Sequence, residues 1–95
     1  MRKNDLTIGQ VLDQMVEELN LKGKLNESRI RTGWSEIMGA TIAKYTSSVS
    51  LKNKKLYVKV ESAALKQELN YSRDRIKELF NKHLGETVIN DVVIF

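Results

Sequence analysis

The stretch "SSVSLKNKKLYVKVES", Ser47 to Ser62, decides how this chain folds. Val49, Leu51, Leu56, Val58 and Val60 alternate with polar residues. Period-2 alternation marks strands with one buried face, and the polar break between them marks a hairpin. With Asn53-Lys54 as a two-residue turn, Leu51 lies opposite Leu56 and Val49 opposite Val58. Directly opposed residues share a face of the sheet, so this register gathers the apolar side chains. Ser48–Lys59, Ser50–Tyr57 and Lys52–Lys55 then pair on the other face. A four-residue loop gives the same pairs. The register has a cost. Lys52, Lys54 and Lys55 crowd the tip, with Lys59 further along, and like charges facing each other across a hairpin destabilise it.

Working outward, "DLTIGQVLDQMVEELN" opens a helix. Thr7 and Gln10 fit a capping box, and Leu6 with Val11 fits a hydrophobic staple. Ile8, Val11, Leu12, Met15, Val16 and Leu19 recur at helical spacing, and Gly23 in "LKGKLN" is the expected stop. A second helix is expected from Asn26 or Ser28, with Ile30, Trp34, Ile37, Thr41 and Ile42 on one side. Gly33 and Gly39 inside it each cost roughly 1 kcal/mol against alanine. They allow a close backbone approach or mark a bend, and spacing does not separate the two.

Downstream, Ser62 caps a third helix, "SAALKQELNYSRDRIKELFNKHLG", ending at Gly85. Its inner face reads Leu65, Leu69, Ser72, Ile76, Leu79, Phe80 and His83. The last segment, "ETVINDVVIF", is β-branched and reads as a strand. The predicted order is α-α-β-β-α-β. A helical crossover joins the second and third strands, so they can pair in parallel through a right-handed connection. The expected class is α+β: a three-stranded sheet with helices on one face, leaving the hairpin's polar side open.

The 95 residues suit one domain, 1–95, with a single modest core and no linker or tail. There are no cysteines, which excludes disulfides, thiolate metal sites and a cysteine nucleophile. The opening "MRKNDLTIGQ" has no apolar core of a signal peptide, and no apolar run approaches the roughly 20 residues that span a bilayer. A soluble, cytoplasmic protein without a membrane partner is expected.

Catalysis finds little support. The one histidine, His83, lies at the apolar edge of a helix and reads as structural. No GxxxxGK[ST] phosphate loop occurs. Asp13, Glu17 and Glu18 read as the solvated face of the first helix. Trp34, in helical step with Ile30 and Ile37, reads as core rather than a base-stacking platform. No nucleophile–base set is visible, so the expectation is a non-enzyme with no cofactor, no metal and no small-molecule substrate.

Charge points elsewhere. The net charge is +4, and its distribution is uneven. Residues 1–45 carry 7 basic and 6 acidic side chains, 46–61 carry 4 and 1, 62–85 carry 5 and 3, and the last ten 0 and 2. The excess lies in the hairpin and the helix after it, where Lys66, Arg73 and Lys77 form a stripe. Lysines also keep sheet edges soluble. Two consecutive elements of one sign favour a shared field for a polyanion.

One combination of spacings is familiar. It runs W-x-x-I-x-G-x-x-I-A-x-x-T from Trp34 to Thr46, L-x-V-x-V-x-S-x-A from Leu56 to Ala64, Q-E-L from Gln67 to Leu69, and a closing strand around Asn90 to Val93. This resembles the DciA family of bacterial replicative-helicase operators, in the style of a short Bacteroidetes-type member, over nearly the whole chain. The resemblance implies a KH-like domain. It also implies a role in replication, helping the ring-shaped DnaB-type helicase onto single-stranded DNA. It brings no catalytic residues. No GxxG loop occurs here, so a standard KH grip on four nucleotides is not expected. Longer relatives carry a basic disordered tail, whereas this sequence ends at Phe95.

Together these readings give a non-enzymatic nucleic-acid-binding adaptor, with single-stranded DNA as the preferred ligand and a replicative helicase as partner by resemblance. The expected contacts are Lys52, Lys54, Lys55 and Lys59, with Lys66, Arg73 and Lys77 alongside and Tyr57 stacking on a base. The alternative is a pure protein-interaction module with no direct nucleic-acid contact.

Overall fold

The computed structural model describes residues 7–95, and in it the hairpin forms in the register its alternation dictates. The elements are α1 (Ile8–Met38), α2 (Ala40–Tyr45), β1 (Thr46–Lys52), β2 (Lys55–Val60), α3 (Ala63–Tyr71), α4 (Arg73–Leu84) and β3 (Asp91–Ile94). In β1 and β2, Val49 pairs with Val58, Leu51 with Leu56, Ser50 with Tyr57, Ser48 with Lys59 and Lys52 with Lys55. Asn53 and Lys54 both take positive φ, 50° and 64°. That is the type I′ turn, whose twist matches right-handed strands. A bulge between Thr46 and Ser48 adds one residue, and Thr46 pairs with Val60. Thr46 therefore shares the buried face. β3 joins β2 in parallel, giving the order β1-β2-β3.

One face of this sheet is the floor of the core. Val49, Leu56, Val58, Val60, Val92 and Ile94 meet Ile30, Trp34, Leu69, Ile76, Phe80 and Leu84 from the helices. Trp34 is 4% exposed and stacks on Phe80 with ring centroids 5.1 Å apart. A buried indole N–H needs an acceptor. Trp34 Nε1 donates to Thr46 Oγ1 at 3.1 Å, and that hydroxyl donates to the Ile42 carbonyl at 2.7 Å. The bulge thus puts a hydroxyl where the core's one tryptophan requires it.

The α+β class holds, but the helices divide at different places from those expected. Gly23 does not stop the first helix. α1 runs unbroken for 31 residues, and Asn26 lies buried within it rather than capping a second helix. A glycine stop works through positive φ, which Gly23 does not adopt, and a glycine left inside a helix costs only about 1 kcal/mol. The break falls at Gly39, with φ 96° and ψ 157°, so this glycine marks the bend. Gly33 serves the other purpose, since a Cβ there would lie 2.8 Å from His83 Nε2.

The third helix is also divided. Ser72, at φ −106° and ψ 15°, separates α3 from α4, and its N–H bonds back to the Leu69 carbonyl. That single tight turn redirects the chain, and Asp74 complements the dipole of the new first turn. The order is therefore α-α-β-β-α-α-β. Leu69, Ile76 and Phe80 are buried as their spacing predicts, whereas Leu79 is half-buried and His83 exposed. The Thr7–Gln10 capping box and the Gly85 left-handed cap both form. Leu6 of the expected staple lies outside the described residues.

Two long-range polar contacts fix the frame. Glu27 Oε2 accepts the Leu51 N–H at 2.8 Å, while its Oε1 holds Arg31, whose Nη2 reaches the Val49 carbonyl at 3.3 Å. α1 thereby occupies backbone groups of β1, an edge strand. Asn81 clamps the loop before β3. Its Oδ1 accepts the N–H groups of Val88 and Ile89, and its Nδ2 donates to the Ile89 carbonyl.

Candidate nucleic-acid interface

Because strand side chains alternate, the register that buries the valines must expose their neighbours together. Three rows cross the open face. At the turn end, Lys52 pairs with Lys55 and Lys55 with Asp91. Next come Ser50, Tyr57 and Val93, then Ser48 and Lys59. The four charged residues and Ser48 are exposed, and Tyr57, Ser50 and Val93 are half-buried. Lys54 stands at the turn itself, in the left-handed conformation. The exposed face is thus a shallow polar surface with a tyrosine ring at its centre and lysines at both ends.

Asp91 was not singled out in the sequence, and it belongs to this face. It sits across from Lys55 in the parallel pair, on the side away from Lys52. An acid one strand over offsets part of the Lys52–Lys55 repulsion. Only the parallel register could reveal it. Among the described residues, the ion pairs are Lys22–Glu86 and Arg31–Glu27, and neither involves a hairpin lysine.

Lys52, Lys54, Lys55, Tyr57 and Lys59 therefore come together. Lys66, Arg73 and Lys77 sit apart from them, on α3 and α4 in the helical layer. The chain enters α3 beyond Val60, the end of β2 opposite the turn. α4 then leads back for about 18 Å, ending at the loop whose Asn90 N–H bonds to the Lys54 carbonyl. Arg73, at its start, belongs to the far end, and its Nε donates to the Asn70 carbonyl at 3.2 Å. Lys66 and Lys77 are half-buried and Arg73 is exposed.

The turn also forms one wall of a groove of about 860 Å³. Lys52, Asn53 and Lys54 face Leu19, Gly23 and Lys24 of α1 across it, with Glu86 to Val88 closing one side. A smaller cleft of about 420 Å³ lies between Arg31, Trp34 and β1. Neither holds a grouping of catalytic side chains, and no metal-binding cluster of histidine and carboxylates forms among the described residues. No helix among the described residues is long and apolar enough to cross a membrane.

Fold and face together define a small α+β domain with one basic sheet surface that none of the described residues covers. The chain belongs to the DciA family, described as "Dna[CI] antecedent, DciA", whose model matches residues 7–94. A UPF0232 protein of Corynebacterium glutamicum (strain R) is 25% identical over 89 residues. That match covers 94% of this chain and 50% of the relative, so the chain spans about half the length of the curated relative it matches. No solved structure matches.

Proposed function

We propose that this chain is a non-enzymatic adaptor that holds single-stranded nucleic acid, DNA by preference, against its open sheet face while a replicative helicase is loaded. The observation that carries the reading is the register: it gathers Lys52, Lys55, Lys59 and Tyr57 on one uncovered face, with Lys54 at the turn. The lysines meet phosphates, and Tyr57 offers a flat ring to an unstacked base. Without a GxxG loop the grip is a surface contact, weak and indifferent to sequence. The hairpin tolerates its internal repulsion because a polyanion relieves it. Lys66, Arg73 and Lys77 lie in the helical layer, so in this reading they add long-range attraction and no direct contact with the strand.

The test is salt dependence. Contact with about four phosphates gives a slope of log K against log salt near −3, at roughly −0.7 per contact. Replacing Lys52, Lys54 and Lys55 together by glutamine is expected to flatten the slope by about two units. The fold should keep or gain stability, since opposed like charges are lost. Glu17→Gln with Glu18→Gln on α1 is the control and should leave the slope unchanged. A triple variant that binds like the parent at every salt concentration removes the hairpin as the contact surface.

A second reading rests on Asp91. An acid beside Lys55, with half-buried Val93 on the same face, suits a protein surface better than a polyanion. Pull-down of the cognate helicase that proceeds equally with and without single-stranded DNA, and fails in Asp91→Lys, favours that reading.

A further inference from the structure

The N-terminal half of α1 carries an apolar stripe that no part of the domain covers among the described residues. Ile8, Val11, Leu12, Met15, Val16 and Leu19 are 41–80% exposed. They continue, at the same helical spacing, the line on which Ile30 and Trp34 enter the core. The helix simply runs past the sheet, giving a particle 61 Å long and about 20 Å across. A continuous apolar face of this kind signals a binding surface.

Three features say what fits it. Between Ile8 and Leu21 the charged residues are Asp13, Glu17 and Glu18, all acidic, so nucleic acid and anionic lipid are repelled. Secondly, the centre line Ile8, Leu12, Met15, Leu19 is spaced four, three, four. That sequence of steps reads the same in both directions. An antiparallel copy therefore sets Ile8 against Leu19 and Leu12 against Met15, as a two-fold axis requires. In that register, Glu18 of each copy falls beside the first turn of the other helix. That turn carries no acidic residue of its own, and its dipole favours an anion. Thirdly, six side chains at roughly 100 Å² each give about 600 Å² per copy, or about 1,200 Å² in all, the lower bound of specific interfaces.

We propose that Ile8 to Leu19 of α1 pairs antiparallel with the same stretch of a second copy of this chain. The two sheets then lie at opposite ends of the assembly, with both basic faces free. The inference does not rest on the nucleic-acid reading.

Sedimentation equilibrium across the micromolar range is expected to approach twice the 10.9 kDa chain mass. Leu12→Glu with Leu19→Glu should hold the chain at monomer mass, with its far-ultraviolet circular dichroism retained because neither side chain enters the core. Register is read separately. The chain has no cysteine, so mixed Ile8→Cys and Leu19→Cys chains should oxidise to a cross-linked pair, while Ile8→Cys alone should not. A parent that stays monomeric throughout, a double variant that still dimerises, or Ile8→Cys linking to itself as readily as to Leu19→Cys overturns the proposal. A monomeric parent that floats with phospholipid vesicles gives the stripe a membrane occupant and overturns it too.

Discussion

At Gly33 a single missing carbon lets α1 and α4 approach. The buried glycine faces the His83 ring, which in turn sits edge-on to Phe80 at 6.4 Å between centroids. Alanine there gains about 1 kcal/mol of helix propensity but pushes the imidazole aside. In a background with His83→Ala the crowding disappears. Gly33→Ala should then stabilise by about 0.5–1 kcal/mol, against a smaller gain or a loss in the parent. Chemical denaturation of the four proteins measures the coupling, and a coupling near zero means that the ring yields freely. Glycine at this position was visible in the sequence as an oddity, yet its reason was not. Fifty residues separate it from His83, and nothing in local spacing links them. Asn81 and Glu27 are similar cases. Each looks like an ordinary exposed helix residue until the backbone N–H groups that it holds are placed next to it.

Among elements, the strands were legible and the helix boundaries were not. The hairpin pairs follow from a period of two and a short turn, because a slip of one residue would reverse every valine. The parallel β2–β3 pair follows from a helical crossover. The helices obey a weaker rule. Periodicity runs across Ser72 without interruption, so the division into α3 and α4 leaves no trace in the apolar pattern. Gly23 misleads in the opposite sense, being a stop signal that the flanking helix formers override. A Cβ at Gly23 would meet nothing within 4 Å. Gly23→Ala is accordingly expected to raise stability by about 0.5–1 kcal/mol through helix propensity and a less flexible unfolded chain. Thermal unfolding checks it. A loss of stability would mean that α1 bends at Gly23 in solution.

For the whole molecule, the Cα radius of gyration of 16.8 Å exceeds the roughly 12 Å of a compact chain this long. α1 accounts for the excess. The basic side chains of the hairpin were identifiable from the sequence as candidates, but their shared face depended on the register and Asp91 depended on the fold. The core lies entirely on the other side of the sheet, and that separation has an optical consequence. Trp34 is the chain's one indole. Stacked on Phe80 and bonded to Thr46, it reports by its emission whether α1 is docked on the sheet. Tyr57, by contrast, shares the hairpin face with the lysines. Adding single-stranded DNA should therefore raise the anisotropy of a labelled oligonucleotide while leaving the indole emission maximum and intensity unchanged. A red shift on binding would mean that the ligand opens the core. On unfolding, the same band should shift sharply, so one fluorophore separates loss of the fold from occupancy of the surface.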